Sequence, residues 1–94
     1  MLRWTVPVEK GNEAIKDGSL QQTIEALAQQ LNLEAAYFWP ESGKRAGMLV
    51  FDMADPSEIP QIAEQLFMKL DAAVELTPVM NTNDLQRALA KVSS

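Results

Sequence analysis

Apolar and polar positions recur along this chain with a period that changes from segment to segment. From Ala46 to Met53, A-G-M-L-V-F-D-M, the chain is nearly continuously apolar over a length too short for an ordinary helix. Such a run beside turn residues reads as a strand covered on both faces, hence as the middle of a sheet. Met1 to Val8 alternates: Leu2, Trp4, Val6 and Val8 point one way, Arg3, Thr5 and Pro7 the other. That is the period of a half-buried strand, ending near Pro7 because proline lacks an N–H. Leu33 to Trp39 alternates too, with Leu33, Ala35, Tyr37 and Trp39 on one face and Glu34, Ala36 and Phe38 on the other. Pro40 to Lys44 is a turn whose Gly43 supplies a positive φ, so this strand and the apolar one form a hairpin. Ala72 to Val79 is a fourth strand, with Ala72, Val74 and Leu76 opposite Ala73, Glu75 and Thr77.

Between strands the period lengthens. Ser19 is placed to cap a helix, with Gln22 completing a capping box, and Leu20, Ile24, Leu27, Ala28 and Leu31 make its apolar stripe. Glu9 to Gly18 is polar and reads as a loop with one loose helical turn around Ala14 and Ile15. After Asp55, Pro56 and Ser57, a second stripe runs through Ile59, Ile62, Ala63, Leu66 and Leu70, with Phe67 beside it. Ser57 is the preferred N-cap, because Pro60 then falls at the third helical position, where no intrahelical N–H is lost. Asn81 to Asp84 can cap a last helix with a thin stripe of Leu85, Leu89 and Val92. A helix so short depends on docking.

The order is β-α-β-β-α-β plus a C-terminal helix, which with right-handed crossovers gives an α+β, ferredoxin-like arrangement. The expected antiparallel sheet has strand order 4-1-3-2, with two helices on one face. Residues 1–80 form this domain and 81–94 a helical extension. Four strands at ~4.8 Å spacing make a sheet ~19 Å wide, which two helices of ~10 Å nearly cover on one side. The other side of the third strand is also apolar, so it needs a cover. A second copy packed sheet to sheet supplies one, and a homodimer is expected. The alternative is a monomer whose C-terminal helix folds over the open face. Arg3 and Glu75 are expected to pair across neighbouring strands.

Composition narrows the chemistry. The 94 residues contain neither cysteine nor histidine, which removes disulfides, thiolate nucleophiles, the usual neutral general base and the commonest metal ligand. The net charge of −5 argues against a nucleic-acid groove, and Lys44-Arg45, the adjacent basic pair, reads as a solvated loop. No apolar run approaches ~20 residues and no leader pattern opens the chain, so a soluble cytoplasmic protein is expected, with no membrane partner. No cofactor is implied by the residues.

W-T-V-P at Trp4 to Pro7, L-V-F at Leu49 to Phe51 and V-E-L-T-P-V-M at Val74 to Met80 make the chain resemble small uncharacterised bacterial proteins of the dimeric α+β barrel superfamily. The resemblance covers Leu2 to about Leu85. It implies a ferredoxin-like subunit, a face-to-face sheet dimer and, in many members, a small-molecule pocket between sheet and helices. Its haem-binding members use a histidine ligand, which this chain lacks. The superfamily does not imply one function.

Trp4, Tyr37 and Trp39, assigned to the helix side of the sheet, are the candidate lining of a site for a small hydrophobic ligand. The functional expectation is a small dimeric binding or accessory protein. The alternative is a cofactor-independent monooxygenase or isomerase acting on a small aromatic or polyketide-like compound. The lack of His and Cys favours the first. A cavity holding Tyr37 beside a charged side chain would favour the second.

Overall fold

A computed structural model describes residues 1–93. Four strands form one antiparallel sheet: β1 (Leu2–Val6), β2 (Leu33–Glu41), β3 (Lys44–Phe51) and β4 (Ala73–Leu76). Their spatial order is β2-β3-β1-β4, which read from the other edge is 4-1-3-2. β1 and β3 are therefore central, as their apolar faces require. The edge strands carry the weaker patterns, and Pro40 sits in β2, where its missing N–H can face outward. The β2–β3 hairpin closes at Ser42 and Gly43, both with positive φ. The amine of Met1 donates to the Thr77 carbonyl at 2.8 Å, and the Thr77 N–H donates to the Met1 carbonyl, prolonging the β1–β4 pairing.

The helices are α1 (Val8–Asp17), α2 (Ser19–Gln30), α3 (Ile59–Leu70) and α4 (Thr82–Ser93). Helix α1 corrects the expectation of a loop over Glu9 to Gly18. Its core-facing residues are Gly11 and Ala14, which are too small to leave an apolar stripe in the sequence but let the helix lie close to the sheet. Gly18, at φ 82°, ends α1 and turns the chain at once into α2. An L side chain is disfavoured there. Ser19 is consequently the first residue of α2 and not its cap. The Asp17 carboxylate instead accepts the Ser19 N–H at 2.8 Å.

A second correction lies before α3. Asp55, not Ser57, is the capping residue: its carboxylate accepts the Ser57 N–H at 2.9 Å and opens a 3₁₀ turn, Pro56–Glu58. Helix α3 then starts at Ile59, and Pro60 falls within its first turn, where no helical partner is lost.

Three helices, rather than two, share one face of the sheet, because α1 packs with α2, α3 and β3. The core lies between them: Leu2, Trp4, Val6 and Leu49 from the strands meet Ala14, Leu27, Ile62, Leu66 and Leu70 from the helices. On the opposite face the register places Arg3, Thr5, Ala35, Tyr37, Trp39, Met48 and Val50.

The face of β2 is also corrected. Tyr37 pairs with Met48 and Trp39 with Ala46, which puts both on the side away from the helices, while Ala36 and Phe38 lie on the helix side. A bulge between Leu33 and Ala35 is the reason. One extra residue there breaks the alternation, so Leu33 still packs on the core while Ala35, Tyr37 and Trp39 do not.

The expected Arg3–Glu75 ion pair does not form, although the two residues are register partners. The Arg3 guanidinium reaches the other way, to Glu41 at 3.1 Å, and its carbon lies 5.7 Å from the centre of the Trp39 ring. A bond to a carboxylate that also accepts from Trp39, with an aromatic face beneath, outweighs one exposed partner.

Helix α4 does not fold over the open sheet face. Asn81 and Asp84 cap it reciprocally, the Asp84 N–H donating to Asn81 Oδ1 at 2.8 Å and the Asn81 N–H to Asp84 Oδ2 at 3.2 Å. None of its residues is buried. The molecule measures 55 × 27 × 17 Å with a radius of gyration of 15.4 Å. A compact chain of this length would have ~12 Å. Among the described residues no helix is long and apolar enough to cross a membrane.

Candidate functional site

At the hairpin end of the molecule the helix layer stops short of the sheet and leaves a cleft of about 680 Å³. Its floor is the aromatic pair Trp4 and Phe38, which flank Gly47 in the register. Trp4 on β1 pairs with Gly47 on β3, and Gly47 with Phe38 on β2. The Trp4 indole lies over the bare Cα of Gly47, where a Cβ would stand 2.6 Å from its Cη2. The Phe38 ring meets it edge to face, with centroids 6.1 Å apart and planes at 66°. Trp4 is 4% exposed whereas Phe38 is 59% exposed, so the pair runs from the core into the cleft.

The opposite wall comes from α1 and α2, through Val8, Leu20 and Ile24. Lys44 and Arg45, next after the hairpin turn, stand at the mouth. The Arg45 Nη1 donates to Asn12 Oδ1 at 3.1 Å, and the same atom would lie 2.8 Å from a Cβ at Gly11. The guanidinium is thus held across α1 by Asn12 and by the small residue beneath it. An aromatic-floored, aliphatic-walled cleft with cations at its rim is suited to an apolar body carrying an anionic group. Its volume lies within the usual range for small-molecule sites, ~300–1,000 Å³.

The three residues chosen from the sequence are not brought together. Trp4 stands in the cleft floor. Tyr37 and Trp39 lie on the opposite face of the sheet, where Tyr37 is 62% exposed. Trp39 borders the cleft, but its Nε1 donates to Glu41 Oε1 at 3.3 Å and its ring faces Arg3. Phe38 and Arg45, the residues that supply the exposed aromatic surface and the fixed cation, stand where the sequence pattern predicts the other face and a solvated loop. The signal for Phe38 was its place one residue out of step with Tyr37 and Trp39. It could be used only once the bulge had set which face turns inward.

Acid–base chemistry finds little here. The hydrogen bonds from Ser19 hold the Asp17 carboxyl below the usual carboxylate range, and those from Ser57 do the same for Asp55. Neither residue lines the cleft; each accepts a backbone N–H where a helical segment begins, Asp17 from Ser19 and Asp55 from Ser57. No group of three or more Asp or Glu residues is placed to hold a metal ion among the described residues.

The chain matches the family described as "Domain of unknown function (DUF3303)" over residues 1–93, and it belongs to that family. No curated protein and no solved structure matches it significantly.

Proposed function

We propose, with that family membership as the premise, that the protein is a dimeric binding protein of the α+β barrel type. Its ligand is a small apolar or aromatic molecule bearing an anionic group, held between the sheet and the helices. The observation that carries this reading is the cleft of about 680 Å³ with Phe38 exposed inside it and Arg45 fixed at its rim. An aromatic ring left that open on the inner side of a sheet loses the burial that Trp4 beside it keeps. A ligand ring stacked on it restores that burial, and a carboxylate or sulfonate on the ligand meets Arg45 and Lys44.

The dimer rests on the opposite face. Tyr37, Trp39, Met48 and Val50 form an apolar band there, and among the described residues α4 buries no side chain against it. The arrangement favours binding over catalysis, because Tyr37, the phenol that the monooxygenase or isomerase reading needs inside the cavity, is on the far side of the sheet.

The test uses 8-anilino-1-naphthalenesulfonate, an aromatic sulfonate, as probe. Saturable binding with one site per chain is expected, weakened tenfold or more by Phe38→Ala and by Arg45→Ala. Binding that neither substitution changes would place the probe elsewhere and defeat the proposal.

A further inference from the structure

Acidic residues outnumber basic ones in this chain, 13 to 8, and its three arginines divide by partner. Arg3 meets Glu41 at 3.1 Å, and Arg87 meets Asp84. Arg45 meets no carboxylate among the described residues. Its partner is the neutral amide of Asn12, reached from Nη1 to Oδ1 at 3.1 Å. A carboxylate there would offset the guanidinium charge, whereas an amide oxygen accepts one hydrogen bond and leaves the charge whole.

The helix beneath sets where that guanidinium lies. Arg45 is the register partner of Val6, which is buried, so it leaves β3 on the helix side of the sheet. It crosses α1 at Gly11, where a Cβ would stand 2.8 Å from Nη1 and 3.5 Å from Cδ. A carbon at 2.8 Å is well inside van der Waals contact, so a side chain at position 11 would displace the guanidinium. Gly11 gives the room and Asn12, the next residue, gives the hydrogen bond. Alanine would make a better helix at position 11, so α1 itself does not account for the glycine. The other N–H groups of the guanidinium fork have no acceptor among the described residues, and Arg45 and Asn12 both line the cleft that Phe38 enters.

We propose that Gly11 and Asn12 form a seat that makes the cleft selective for charge. With Arg45 held in place and uncompensated, the cleft favours an apolar ligand carrying an anionic group over the same ring system without one. The seat deepens the cleft reading above and rests on it. Both residues act through Arg45 and are positioning residues. Holding a long side chain in place before the ligand arrives spares its ordering on binding, a gain of about two- to tenfold in affinity. The gain falls to the anion, because a neutral ring forms no ion pair with the guanidinium.

Two probes share one ring system: 8-anilino-1-naphthalenesulfonate and N-phenyl-1-naphthylamine, which lacks the sulfonate. Fluorescence titration gives the affinity of each, and the ratio of sulfonate to neutral affinity measures the selection. Arg45→Ala is expected to lower this ratio at least tenfold. Gly11→Ala and Asn12→Ala are each expected to lower it about two- to tenfold, and to leave it unchanged on an Arg45→Ala background. Gly11→Ala should do so while its urea midpoint holds or rises, which separates loss of the seat from loss of the fold.

Failure of the parent chain to bind either probe would defeat the cleft reading and the seat together. A ratio that falls with Arg45→Ala but holds in either seat variant would overturn the seat and leave the cleft reading standing. A ratio that Arg45→Ala does not move would overturn the selection for charge. Equal losses on the Arg45→Ala background would mean that Gly11 and Asn12 act on the ligand directly, and a lowered urea midpoint in Gly11→Ala would assign that residue to the fold. Either of these last results also defeats the proposal.

Discussion

The Trp4 indole rests directly on the Cα of Gly47, its partner on the neighbouring strand. This contact lets a large aromatic side chain lie flat on the sheet beneath the helices and leaves Phe38, one strand further, edge-on to it. The core and the candidate site therefore share Trp4.

Gly47→Ala should be costly. The added methyl collides with a ring that is 4% exposed and has little freedom to shift. The expected loss is ~1–3 kcal/mol, as for overpacked cores. Urea unfolding of the single variants and of Gly47→Ala combined with Trp4→Leu would separate the collision from other effects, since removing the ring should remove most of the penalty.

Thr23→Val should stabilise the fold. The Thr23 hydroxyl is 1% exposed and has no hydrogen-bond partner among the described residues. Valine keeps the shape and removes the unpaired polar group, for a gain of ~1 kcal/mol. A urea midpoint that falls would show that the hydroxyl is satisfied in solution.

Asp17 and Asp55 should contribute to stability in a pH-dependent way. Hydrogen bonds from Ser19 and Ser57 lower their folded values below the ordinary 3.8. A group depressed on folding stabilises above its unfolded value, and that contribution is lost as pH falls through the lower folded value. The Asp17→Asn/Asp55→Asn variant should therefore show a flatter fall in urea midpoint below pH 3.8 than the parent chain. Parallel curves would remove the two carboxylates from the acid response.

Met48→Glu should weaken self-association without unfolding the subunit. Met48 is half-buried on the face away from the helices, between Arg3 and Tyr37 in the register. A carboxylate there is tolerated in water but costly in a sheet-to-sheet seam. Sedimentation velocity at several concentrations checks this, and an unchanged profile would exclude the face as an interface.

Sequence pattern alone was enough for the order of the main elements, the inward faces of β1 and β4, the two-sided character of β3, and the stripes of α2 and α3. Each of these follows from a local period that burial imposes on large side chains. It also carried Trp4 into the candidate site. It did not reveal α1, because Gly11 and Ala14 bury almost no apolar area and leave no period to read. It could say that Tyr37 and Trp39 oppose Phe38, but not which of them turns toward the helices. Alternation is blind to that sign, and a single bulged residue before Ala35 reverses it. The partner of Arg3 and the outward stripe of α4 are likewise products of the assembled fold. Both depend on what lies across the sheet or beyond the subunit, and neighbours in sequence carry no trace of that distance.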